Sequence, residues 1–210
     1  MMRATYPILI IVIGSIFTFL FLHIELYSST QFGNSSVQTI SPNLLKLDLE
    51  LNSTSIKPGQ SLQITTELYY MGESPYYVNV GKHYIRLPSP YPCGQNLLVG
   101  LEIFKGYYTT SNISNATPLY LYKPGIYFCP VILAATQYKL LPLSNQMQLI
   151  YNGKIVGTVH NEISISINGY WITNYTNPLS GKFTLFTPGI YTVEGISYFN
   201  QTVLEYFTVT

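Results

Sequence analysis

Residues 45–51 read Leu-Lys-Leu-Asp-Leu-Glu-Leu, a strict alternation of leucine with charge. Successive side chains of a strand point to opposite faces, so this stretch reads as a half-buried β-strand. A helix of 3.6 residues per turn would scatter the same leucines over several sides. Lys57-Pro58-Gly59-Gln60 carries turn chemistry, and Leu62, Ile64 and Leu68 then continue an inward face. Met147–Tyr151, Asn152-Gly153 and Lys154–Val159 form a hairpin pattern. A two-residue type I′ turn needs positive φ at both positions, which Asn and Gly tolerate. Glu162–Ile167, Asn168-Gly169 and Tyr170–Thr173 repeat that pattern, with Ile163, Ile165 and Ile167 alternating with Ser164 and Ser166. Thr202–Thr210 reads as a closing strand. Residues 43–210 therefore predict an all-β domain, either one large sandwich or two small β units fused side by side.

Such a surface needs a source of solubility, and charge does not supply it. Only 9% of residues are charged, and the formal net charge is +1 at pH 7. Six Asn-X-Ser/Thr sequons do suggest one, at Asn34, Asn52, Asn112, Asn115, Asn174 and Asn200. Proline fills the middle position of none of them. N-glycans on an exported chain would sit at exposed turns. Asn112 and Asn115 fall in a predicted loop, Asn34 in a tether, and the rest at predicted strand ends or turns. The dispersed lysines and near-zero net charge argue against a nucleic-acid partner.

The start of the chain fits export. Arg3 is the only charge ahead of the apolar run Tyr6–Leu22, and Glu25 is the next. That length lies between a signal-peptide core and a spanning helix. Residues 1–26 are therefore either a signal-anchor or a signal peptide. In the first case Arg3 keeps the N-terminus in the cytoplasm, and the protein is single-pass in the cell membrane with its C-terminal domain outside. In the second, cleavage near Ser28 and Ser29 releases a secreted or cell-surface protein. Residues 27–42 are uncharged and rich in hydroxyls, as suits a flexible tether. Cys93 and Cys129 are the 2 cysteines present. In an exported domain they predict a disulfide, and they lack the C-x-x-C spacing of a redox or metal pair.

Lys123-Pro124-Gly125-Ile126-Tyr127 echoes Thr187-Pro188-Gly189-Ile190-Tyr191, with Lys57-Pro58-Gly59 as a fainter third copy. The echo is either a duplicated module or one turn reused, since Pro fixes φ and Gly accepts positive φ. Gly125-Ile126-Tyr127-Phe128-Cys129 resembles the Gly-X-Tyr-X-Cys stretch of immunoglobulin domains. There the tyrosine forms a corner and the cysteine an inter-sheet bridge. Phe186–Gly195, with Val203 and Phe207-Thr208-Val209, resembles the last hairpin of such domains in archaeal surface proteins. So does the plan of short anchor, hydroxyl-rich tether, tyrosine-rich β-domain and dense sequons. The resemblance implies an immunoglobulin-like β-sandwich, with or without an inserted or duplicated β unit, after one N-terminal hydrophobic helix. It also implies a non-catalytic, glycosylated domain of the cell envelope, structural or adhesive. Its partners would be the membrane, through the N-terminal helix, and an envelope protein or a second copy. Some relatives of this type build filaments in which an N-terminal strand completes the sheet of a neighbour. Here that strand would follow Leu26.

Residues for chemistry are sparse. Asp48 is the sole aspartate and sits on the polar face of a strand. His83 and His160 have no nucleophile elbow to serve. Glu50, Glu67, Glu73, Glu102, Glu162, Glu194 and Glu205 are scattered, so glycoside hydrolysis has no support. His83, His160, Cys129 and Met147 supply copper-ligand types, but in the wrong order, and a copper site would leave Cys93 unpaired. No pair has a zinc-chelating spacing. The expectation is no catalytic, cofactor or metal site, with an exported hydrolase or redox protein as the alternative of another class. The 20 tyrosines cluster at Tyr69-Tyr70, Tyr76-Tyr77, Tyr107-Tyr108 and Tyr120/Tyr122. They suit half-exposed sheet packing or a partner surface. Few charges also suit an acidic exterior, where native ion pairs are lost.

Overall fold

The computed structural model describes residues 40–80, 87–93, 96–128, 135–174 and 177–210. The apolar N-terminal run, most of the tether, Asn34, His83 and Cys129 lie outside the described residues. The described residues belong to one compact unit, Gln38–Thr210.

They form 13 strands and two short 3-10 turns. The strands are β1 (Leu45–Leu51), β2 (Ser55–Ile56), β3 (Leu62–Tyr70), β4 (Tyr76–Asn79), β5 (Val99–Lys105), β6 (Gln137–Leu140) and β7 (Gln146–Tyr151). They continue with β8 (Lys154–His160), β9 (Glu162–Ile167), β10 (Gly169–Asn174), β11 (Asn177–Leu185), β12 (Gly189–Ser197) and β13 (Thr202–Val209). The sheets run β1-β3-β9, β2-β13-β12-β5, β4-β6-β7-β8 and β10-β11. Every neighbour pair is antiparallel except β2 with β13, which is parallel. The all-β expectation is met.

Local alternation drives the first sheet. Leu45 and Leu49 of β1 are buried while Lys46 and Glu50 are exposed. Leu47 and Leu51 are half-buried. In β3 every second residue from Leu62 to Tyr70 is buried, including Thr66, whose hydroxyl donates to the Asp48 carbonyl at 3.2 Å. A buried threonine is tolerated because its polar atom is bonded. Ile163 and Ile165 of β9 face the same core while Ser164 and Ser166 are exposed. The β2-β13-β12-β5 sheet adds Leu101, Ile103, Val193, Phe207 and Val209 to one apolar cluster with these residues. Each such fully buried side chain stabilises the fold by about 1.5–3 kcal/mol. Aromatic rings centre that cluster. Tyr191 stacks on Phe207 at 4.9 Å, and Phe186 meets both edge-on at 5.0 and 5.3 Å.

The two predicted hairpins part company. β7 and β8 pair around Asn152 and Gly153, whose φ values of 48° and 73° are both positive, as the sequence predicts. The second one is corrected. Its strands exist, but β9 pairs with β3, and β10 pairs with β11. Neither Asn168 nor Gly169 has positive φ, so no type I′ turn forms and the chain passes between sheets. Gly169 is required for another reason: a Cβ there would lie 2.2 Å from the Thr184 carbonyl oxygen. The Pro-Gly echo is also unequal. Thr187–Tyr191 leads into β12, whereas Lys123–Tyr127 belongs to no strand.

Candidate functional site

The free edge of β5 is where the fold opens a cleft. β12 pairs along one side of β5. On the other side the Leu101 amide donates to the Pro88 carbonyl at 3.0 Å. The Leu119 amide donates to the Ile103 carbonyl at 2.8 Å. Residues 87–92 and 117–122 are thereby held against the strand edge, and a cavity of about 390 Å³ lies between them. Leu101 and Glu102 of β5 line it together with Tyr91, Tyr120 and Tyr122. Tyr91 is held by a hydroxyl bond to the Ser164 carbonyl at 3.3 Å. Tyr120 is held through its backbone, which accepts from the Trp171 amide at 2.8 Å. Its side chain is 48% exposed.

Glu102 lies directly opposite Glu194 in the β5–β12 register. Directly opposed side chains share a face, so two carboxyl groups are brought together. Burial, and then the Glu194 carboxylate, push Glu102 above the usual carboxylate range. Burial pushes Glu194 up as well. The two groups hold protons more tightly than free glutamates do.

A pinned segment lies nearby in sequence. The Tyr108 amide donates to the Thr192 hydroxyl at 3.0 Å, and that hydroxyl donates to the Gly106 carbonyl at 2.8 Å. Tyr107 stacks on Tyr206 at 4.9 Å, and the Tyr206 hydroxyl donates to the Tyr108 carbonyl at 2.8 Å. The Tyr107-Tyr108 cluster thus packs against β12 and β13.

The described sequon asparagines lie at element ends or in turns. Asn52, Asn112, Asn115 and Asn200 are exposed, and Asn174 is the last residue of β10. Asn52 Oδ1 accepts from the Gln63 amide at 2.9 Å, and Asn112 Oδ1 from the Thr109 amide at 2.7 Å. The amide nitrogen, which would carry an N-glycan, stands outside both bonds.

Among the other candidates, the β1–β3–β9 register sets Asp48 opposite Glu67 and Glu67 opposite Glu162. Asp48 pairs with Lys46 on its own strand. His160 Nδ1 lies 3.1 Å from Asn145 Oδ1, and Met147 is fully buried in the core. Among the described residues, no group of three or more His, Cys, Asp or Glu could hold a metal ion. Cys93 is not a free thiol. Its predicted partner Cys129 lies outside the described residues. Sequence reasoning missed both the opposed Glu102–Glu194 pair and the Asp48–Glu67–Glu162 row, although a glutamate between Leu101 and Ile103 was a visible signal. No protein-family model matches this chain. No curated protein matches it either.

Proposed function

We propose that this chain is a non-catalytic, N-glycosylated β-domain of the cell surface, structural or adhesive, held by its N-terminal apolar segment as a membrane anchor. The observation that carries the reading is that Asn52, Asn112, Asn115 and Asn200 are all exposed and all lie outside the strands. A glycan needs an acceptor it can reach, and Asn174, the fifth described one, is the last residue of β10. Sugar then supplies the solubility that so few charges cannot. The membrane, N-linked glycans and an envelope protein or second copy are the partners of this reading. A bridge between Cys93 and Cys129 is part of it.

The domain is proposed to be an immunoglobulin-like sandwich with an inserted β unit. Supporting this, β1-β3-β9 and β2-β13-β12-β5 contribute to one core, and the short β2 runs parallel to the last strand. β4, β6, β7 and β8 make a separate sheet, with β5 of the frame between β4 and β6 in the chain, and Val78, Tyr138, Leu140 and Met147 join the same core. The Tyr191 hydroxyl donates back to the Thr187 carbonyl at 3.0 Å at the start of β12, the arrangement of a tyrosine corner. The resemblance at Tyr127 pointed to the other copy of the motif. Two residues beyond Tyr191, where an inter-sheet cysteine would stand, the chain has buried Val193.

Intact-mass measurement and N-terminal sequencing of the native protein test the anchor. Retention of residues from Met1 or Met2 onward is the expected result. A mature chain that starts after Leu26 and assembles into fibres would overturn it.

A further inference from the structure

We propose that the cleft at the edge of β5 binds a neutral sugar ring, stacked on tyrosine and hydrogen-bonded through its hydroxyls to Glu102. This deepens the adhesive side of the surface reading, because it names the class of ligand such a domain would grip.

The lining selects the ligand by what it offers. Tyr91, Tyr120 and Tyr122 present aromatic surface, and Pro88, Pro92 and Pro118 add rigid apolar walls. A pyranose has one apolar C–H face that covers a tyrosine ring and a rim of hydroxyls that need polar partners. Glu102 supplies such a partner in the lining, which also includes Ser89 and Thr117. A cavity of about 390 Å³ lies at the small end of the range for small-molecule sites.

Other ligand classes fit less well. Among the described residues no lysine or arginine lines the cavity, and Glu102 repels an anion. A calcium ion needs six to eight oxygen ligands, and among the described residues Glu102 is the one carboxylate of the lining. A lipid tail would bury Glu102 with no partner, which is costly. The site also has the rigidity that binding demands. Both flanking segments are tied to β5 by backbone hydrogen bonds, and Tyr91 is tied to Ser164.

Saturation-transfer NMR on the full-length protein, in a detergent without a sugar headgroup, tests this with methyl glucoside, methyl mannoside and methyl galactoside. At least one gives transfer in the millimolar range. Glu102→Gln weakens it by about tenfold, because a charged acceptor becomes a neutral one. That substitution removes a like-charge contact, so the fold is retained. Tyr120→Ala, at an exposed position, weakens binding several-fold. No transfer from any of the three glycosides overturns the proposal. So does transfer that both folded variants leave unchanged, or a site that responds to calcium chloride and not to sugar. The titration reads the same on an anchored or a cleaved chain, so its failure and the failure of the surface reading are separate results.

Discussion

Glu102 and Glu194 stand directly opposite each other on β5 and β12, on the face away from buried Ile103 and Val193. Like charges so placed destabilise a sheet. Both carboxyl groups are pushed above their usual range, chiefly by burial. The native state therefore holds protons that the unfolded chain has released. The stability this contributes is fully present below the ordinary glutamate value of about 4.3 and is lost as pH rises through the folded values.

The first prediction follows from that sign. The urea midpoint is higher at about pH 4 than at about pH 7, the reverse of ordinary acid unfolding. The ion pair Lys46–Asp48 is exposed and contributes little to offset the trend. Glu194→Gln flattens the difference. A wild-type midpoint that falls between pH 7 and pH 4 contradicts the prediction.

The two copies of the Pro-Gly-Ile-Tyr motif allow an internal comparison. Both tyrosines donate to the carbonyl four residues earlier, Tyr127 to Lys123 and Tyr191 to Thr187. Tyr191 is fully buried and also accepts from the Thr187 amide at 3.0 Å, whereas Tyr127 is 40% exposed. Tyr191→Phe is expected to cost about 1–3 kcal/mol, because partly buried backbone groups lose their partner. Tyr127→Phe is expected to cost less than about 0.5 kcal/mol, as at an ordinary surface site. Denaturation of the two single variants checks this, and equal losses would contradict the corner role of Tyr191.

Closing the loop between Cys93 and Cys129 is expected to stabilise the domain by about 3–4 kcal/mol on the chain-entropy model. Reduction, or Cys93→Ser, should lower the unfolding free energy by that order. Thiol titration of the native, unreduced protein decides the pairing. Two reactive thiols after unfolding without reductant would count against a bridge.

What the sequence revealed was local. The alternation in β1, the buried face of β3 and the Asn152-Gly153 turn are set within a few residues, by side-chain period and backbone φ. What it hid was non-local. Asn168-Gly169 has the chemistry of a hairpin turn, but β9 finds its partner in β3, far back in the chain. Gly169 is there for a close approach to Thr184. Glu102 and Glu194 look like two unrelated glutamates until the β5–β12 register aligns them. The cleft needs two loops fastened to the edge of β5, which no periodicity encodes.

The central claim is an outward-facing domain coated with sugar, and glycopeptide mass spectrometry of protein from its native source tests it most directly. The prediction is N-linked glycan on the peptides that carry Asn52, Asn112, Asn115 and Asn200, the exposed acceptors at element ends. Unmodified asparagine at all of these positions would contradict it.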